Sequence, residues 1–194
     1  MSKKHFIERD ISWLSFNARV LQEANDATVP LRERIRFLGI FSNNSDEFFR
    51  VRVATLKRMI EFSEKKKKAN IHLEENPQNI LDQIQIIVLQ QQNEFNRIWE
   101  GILKELKKEK IQLLNEKQLN REQQKFIQNY FDEQVRSNVI PLMIESLPQL
   151  PYLRDKSIYL GVVMRKKDTA YHQKYALIDV PSKAIGRFLK LPSK

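Results

Sequence analysis

Few side chains in this 194-residue chain are placed to do chemistry. Its three histidines, His5, His72 and His172, fall at the start, in a loop and in an expected hairpin turn. None has a second ligand one turn away on an expected helix, so no metal site is anticipated. No G-x-x-x-x-G-K-[ST] or G-x-G-x-x-G phosphate loop occurs, and the absence of cysteine rules out thiolate nucleophiles, thiolate ligands and disulfides. Asp46 and Glu47 are adjacent carboxylates, but helical neighbours point about 100° apart and do not work as a pair. Asp46 reads better as a helix cap. No catalytic residue is assigned.

The most informative local feature is the polar run Ser42-Asn43-Asn44-Ser45-Asp46. It lies between two aromatic-rich segments, Phe37 to Phe41 and Phe48-Phe49. An asparagine amide both donates and accepts, which matches the edge of an adenine ring. Arg50 and Arg52 follow within two turns and are of the type that faces phosphate. The same five residues also suit a plain corner between helices, with the asparagines capping and turning. Residue types alone leave both readings open.

The elements that must position this run are mostly helical. A first helix is expected from about Ser12 to Asn25, with Trp13, Phe16, Val20, Leu21 and Ala24 at three- and four-residue spacing and Ser12 or Asp10 as cap. A second starts at Pro30 with a stripe of Leu31, Ile35, Leu38 and Phe41, and Arg32, Arg34 and Arg36 mostly off it. It should stop at Ser42 to Asp46, where Asp46 or Ser45 caps a third helix running through Phe48, Val53, Leu56 and Ile60 to the cations Lys65 to Lys68. Asn76-Pro77 is a strong start signal for a long fourth helix reaching about Lys108, with Trp99 on its buried stripe.

Beyond Lys110 the pattern changes. Ile111 to Leu114 is short and strand-like, and Asn120 with Gln123 resembles a capping box opening another helix. Pro141, Pro148 and Pro151 break the chain, and two β-type runs, Ile158 to Met164 and Tyr175 to Val180, read as an antiparallel hairpin. The expected fold is mainly α: a helical domain over residues 1–108, then the start of an α/β head domain over 109–194. That second domain reads as truncated, because one hairpin, one strand and one helix cannot cover a sheet.

Composition fits a soluble protein, with 41% apolar and 30% charged residues, and no run approaches the ~20 apolar residues of a membrane span. The start reaches no apolar signal core, so a cytoplasmic location is expected, with peripheral membrane association left open. The net charge of +10, from 34 Lys and Arg against 24 Asp and Glu, favours polyanions without choosing among them.

A longer pattern does choose. Arg9-Asp10-Ile11-Ser12-Trp13-Leu14-Ser15-Phe16-Asn17-Ala18-Arg19-Val20-Leu21-Gln22-Glu23-Ala24 resembles the opening signature of bacterial long-chain polyphosphate kinases, ELSWLSFNxRVLxEA. Arg36 to Asn44, Asp46 to Phe49, Val51 to Ala54 and Leu56 to Arg58 continue the match. Leu113 to Glu116 and Ile178 to Ser182 resemble later landmarks, so the likeness spans essentially the whole chain. It implies an enzyme that reversibly moves the terminal phosphate of ATP onto inorganic polyphosphate, through a phosphohistidine and with Mg²⁺. It further implies four parts: a helical amino-terminal domain, a head domain used in dimerisation, and two carboxy-terminal domains related to phospholipase D. The last two hold the phosphate-carrying histidines and the Mg²⁺ ligands, so this chain alone should be inactive. The family's S-N-N-x-D-E-F segment brings its second asparagine to the base side of the nucleotide, which makes Asn44 the ATP-binding residue here. Ser45 stands where many members have leucine, and Asp10 stands where the signature opens with glutamate.

The expected partners are ATP or ADP and polyphosphate, with a homo-oligomer for the full-length enzyme and no nucleic acid. The competing reading is a stand-alone basic helical module binding nucleic acid or other polyanions, which needs aromatics exposed on a basic face.

Overall fold

The computed structural model describes residues 7–67, 76–149, 151–165 and 173–192. His5, His72, His172 and Lys68 lie outside these residues. The chain divides into two compact units, Met1–Leu113 and Leu114–Lys194.

In the first unit, α1 spans Arg9–Asn25, three residues earlier than Ser12 suggested. Neither Ser12 nor Asp10 caps it. Glu8 does, its carboxylate accepting from the backbone N–H of Asp10 at 2.7 Å and of Ile11 at 2.9 Å. The buried stripe of α1 is Asp10, Leu14, Asn17, Leu21 and Ala24: Leu21 and Ala24 lie on it as the spacing predicts, whereas Trp13, Phe16 and Val20 each sit one residue away from it. Phe16 is 66% exposed. The misreading has a clear cause: two of the five buried positions are polar, so their apolar neighbours carried the pattern.

Helix α2 spans Leu31–Phe48 and does not stop at the polar run. It passes through Ser42 to Asp46, enters a π-helical turn over Phe49–Val53, and continues as α3 over Ala54–Lys67. The backbone at Phe48, Phe49 and Ala54 stays right-handed helical, so no corner exists and Asp46 caps nothing. The wider turn explains how one stripe survives: the buried residues step from Phe48 to Val53, five apart, and then to Leu56. Arg34 is not off the core. It is 5% exposed, its Nε donating to Ala24 O at 2.8 Å and its Nη1 to Glu105 at 2.9 Å. The α1 carbonyl it satisfies is one of those every helix leaves open at its end.

Helix α4 covers Pro77–Lys108, with Asn76 as cap and Pro77 in the first turn. Its 32 residues extend about 48 Å at 1.5 Å per residue. Such a helix needs more than one set of neighbours, and it has two. Leu81 and Ile84 join Leu14, Phe48, Val53 and Leu56 in one cluster. Further along, Ile98 and Ile102 join Leu21, Ala24, Leu38 and Phe41 in another, against which Trp99 is only half-buried. At roughly 1.5–3 kcal/mol per fully buried aliphatic side chain, these contacts rather than helix propensity hold α4 in place.

Ile111 to Leu114, where the two units meet in sequence, forms no strand. Asn120 and Gln123 form the expected capping box, and α5 follows over Arg121–Tyr130. A π-helical turn, Phe131–Val135, and a 3₁₀ turn, Arg136–Asn138, extend it. Strands β2 (Tyr159–Arg165) and β3 (Gln173–Asp179) pair antiparallel, Tyr159 opposite Asp179 and Arg165 opposite Gln173. A third strand, β1 (Pro141–Met143), pairs antiparallel with the other edge of β3, giving the order β1-β3-β2. Proline is tolerated there because it is the first residue of an edge strand. A short α6, Ser182–Ile185, ends at Gly186, whose φ of 75° suits glycine. The whole is mainly α with a small antiparallel sheet.

Candidate nucleotide-binding site

The helical path through the polar run decides where each of its side chains goes. Asn44 turns toward α1, where its Nδ2 donates to Asn17 Oδ1 at 3.0 Å. Asn17 is fully buried. Its own Nδ2 donates to Ser45 Oγ at 3.2 Å and to the backbone carbonyl of Phe41 at 3.4 Å. Ser45 Oγ in turn donates to the same carbonyl at 2.9 Å. The helix carries asparagine and serine in its interior because Asn44 Nδ2 and Ser45 Oγ find partners across and along it. Asn44 is half-buried, and the hydrogen bonds among the described residues leave its Oδ1 without a donor.

The two arginines fare differently from each other. Arg52 is committed to structure: its Nε donates to Asp10 Oδ1 at 2.7 Å and its Nη2 to Oδ2 at 3.0 Å. This two-pronged pairing ties the π-helical turn to the first turn of α1 and takes Arg52 away from any phosphate. Burial pushes the Asp10 carboxyl up from its ordinary value, with Glu8 adding to the rise and Arg9 opposing it. The pairing with Arg52 is the compensation that makes so buried an acid tolerable. Arg50, by contrast, lies in the open and pairs loosely with Glu47 at 3.5 Å. Trp13 stacks on Phe48 beside this pair, ring centroids 4.7 Å apart.

On the α4 side of the same helix a cavity of about 340 Å³ opens between Phe41, Ser45, Phe48, Phe49, Gln91 and Phe95. Asn44 does not line it. Among the described residues no group of three or more His, Cys, Asp or Glu side chains is placed to hold a metal ion. No helix among them is long and apolar enough to cross a membrane.

Asn44 stands out in the sequence through its motif, whereas its partner Asn17 does not. The available signal was a polar residue at the i+3 position between Leu14 and Leu21, on the face that the helix buries. An asparagine there must find a partner, and the polar run on α2 is what lies opposite.

Both units resemble known proteins. Residues 6–114 match the polyphosphate kinase N-terminal domain, and residues 122–194 match the polyphosphate kinase middle domain. A polyphosphate kinase of Vibrio parahaemolyticus is 40% identical over 194 residues, which are 100% of this chain and 27% of that protein. One from Escherichia coli K12 is 42% identical over 191 residues, 98% of this chain and 27% of the relative. The crystal structure of polyphosphate kinase from Porphyromonas gingivalis superposes with a TM-score of 0.80 at 32% identity, covering 100% of this chain and 28% of that one. The chain thus spans about a quarter of the length of these relatives, and with both of its units matched it belongs to the polyphosphate kinase family.

Proposed function

We propose that this chain forms one wall of the nucleotide site in a polyphosphate kinase that moves the terminal phosphate of ATP to inorganic polyphosphate through a phosphohistidine. The observation that carries the reading is the Asn44 amide, tied down by Asn17 on one side and open at Oδ1 on the other. An open, oriented acceptor on a rigid helix is what recognition of a purine edge needs. The commitment of Arg52 to Asp10 points the same way: this wall meets the base, and the phosphates are handled elsewhere in the enzyme. The histidines that carry phosphate and the Mg²⁺ ligands belong, in this reading, to the remainder of the full-length protein, a cytoplasmic homo-oligomer. The net charge of +10 raises the local concentration of both ATP and polyphosphate.

The test is Asn44→Ala in the full-length kinase containing this chain. A neutral hydrogen bond is worth about 0.5–1.5 kcal/mol, more where its loss strands a desolvated partner, so the KM for ATP should rise roughly 3–30-fold. Because the base is remote from the transferred phosphate, kcat should change far less. An unchanged KM together with earlier melting would make Asn44 a purely structural partner of Asn17.

A further inference from the structure

The direction of every hydrogen bond around Asn44 is fixed by one atom. The carbonyl oxygen of Phe41 can only accept. The Ser45 hydroxyl gives its single proton to that oxygen at 2.9 Å, which leaves Oγ as an acceptor toward Asn17. Asn17 meets both oxygens, Ser45 Oγ at 3.2 Å and Phe41 O at 3.4 Å, and so must present its NH₂ group to them. Turning the Asn17 amide over would set its own oxygen against a carbonyl oxygen inside a fully buried environment, which is costly. Asn17 Oδ1 is therefore the atom facing Asn44, and Asn44 must answer with its NH₂ group, as it does at 3.0 Å. What remains for a ligand is the Asn44 oxygen, an acceptor, beside the second N–H of the same amide, the two held in a fixed order.

We infer that the buried Asn17 is a positioning residue that sets base preference, locking the Asn44 amide so that the site selects a 6-amino purine nucleotide over a 6-oxo one. The inference rests on reading Asn44 as the base contact. An acceptor at that atom receives a proton from the exocyclic amine of adenine. The carbonyl oxygen at C6 of guanine or hypoxanthine would face it oxygen to oxygen, with no proton between them. Without the lock, a free asparagine amide could turn over and offer NH₂ to the 6-oxo base instead. Serine at position 45 strengthens the lock in this chain, because its hydroxyl supplies a second acceptor that leucine lacks.

ATP and inosine triphosphate, the 6-oxo counterpart, are the probes, with kcat/KM measured for both on the full-length kinase containing this chain. The ratio of the two values on one preparation is independent of the fraction of folded enzyme. The parent should prefer ATP by about tenfold or more, the worth of one gained and one opposed hydrogen bond. Asn17→Leu keeps the γ-branched shape, though with a bulkier side chain, and releases the Asn44 amide, so the ratio should fall to within about threefold through KM, with kcat for ATP little changed. Ser45→Ala, at a half-buried position, should move the ratio partway in the same direction and serves if Asn17→Leu fails to fold. Two failures are distinguishable. If Asn44→Ala raises the KM for ATP but the variants at positions 17 and 45 keep the parent ratio, the lock is wrong and the base contact stands. If Asn44→Ala leaves the KM for ATP unchanged, or the parent does not discriminate, the base contact itself is wrong.

Discussion

Arg52 grips Asp10 with two parallel hydrogen bonds, 2.7 and 3.0 Å long, across 42 residues of sequence. Asp10 is 2% exposed and the Arg52 side chain 32%, so the acid depends on the pair more than the base does. Arg52→Met should destabilise the first unit by about 2–4 kcal/mol, somewhat below the value for a fully buried pair because water reaches the guanidinium. Asp10→Leu combined with Arg52→Met should recover most of that loss, since no unpaired charge is then left inside. Denaturant unfolding followed by Trp13 fluorescence reports on the right place, because Trp13 stacks on Phe48. A double variant no more stable than Arg52→Met would show that the pair matters through geometry rather than desolvation.

Burial along α4 ranks its side chains. Ile102 is fully buried and Trp99 only half-buried, although Trp99 is larger. Ile102→Ala should cost about 2–5 kcal/mol, and Trp99→Ala should cost less despite removing more atoms. Thermal melting of the two variants side by side settles the order.

The turn joining α1 and α2 holds a titratable tie. Asp26 accepts from the Thr28 backbone N–H at 2.8 Å and from its hydroxyl at 2.7 Å. The backbone bond first, then the hydroxyl, holds the Asp26 carboxyl below its ordinary value of 3.8. A lowered folded-state pKa means that the stabilisation is complete above the unfolded value and is lost as pH falls through the folded one. Stability from this turn should thus disappear only in the window below about pH 4. Carboxyl-resonance titration should show Thr28→Val shifting Asp26 back upward; no shift would assign the effect to the backbone bond alone.

The chain by itself should neither label nor polymerise. It spans 27% of the Vibrio parahaemolyticus relative, and the family resemblance assigns the phosphate-carrying histidine to the carboxy-terminal domains. Incubation with radiolabelled ATP and Mg²⁺ should leave the protein unlabelled under alkaline conditions that preserve phosphohistidine. Stable label on this chain would overturn the assignment.

The long helix α4 was legible because its signals are local: Asn76, Pro77 and an unbroken stripe. The capping box at Asn120 and Gln123 was legible for the same reason. Two readings failed where the deciding partner is distant. The first half of the α1 face was misplaced because Asn17 and Asp10 are buried only by virtue of residues 24 to 42 positions away. The polar run was read as a corner because serine and asparagine usually break helices, and nothing local shows that Asn17 will satisfy them. Asn44 itself was visible in the motif. Which of its two polar atoms faces outward depends on a contact 27 residues away.

The five-residue step from Phe48 to Val53 bears on how the gene can change length. In an ordinary helix interior, losing one residue swings everything beyond it by about 100° and turns the core side outward. Within Phe49–Val53 the opposite holds: deleting one residue brings Phe48 and Val53 to a four-residue spacing, which still shares a face. The continuous helix from Leu31 to Lys67 thus contains one place where a codon can be lost without scrambling the packing of α3. Length variation among relatives in this helix should be confined to that turn.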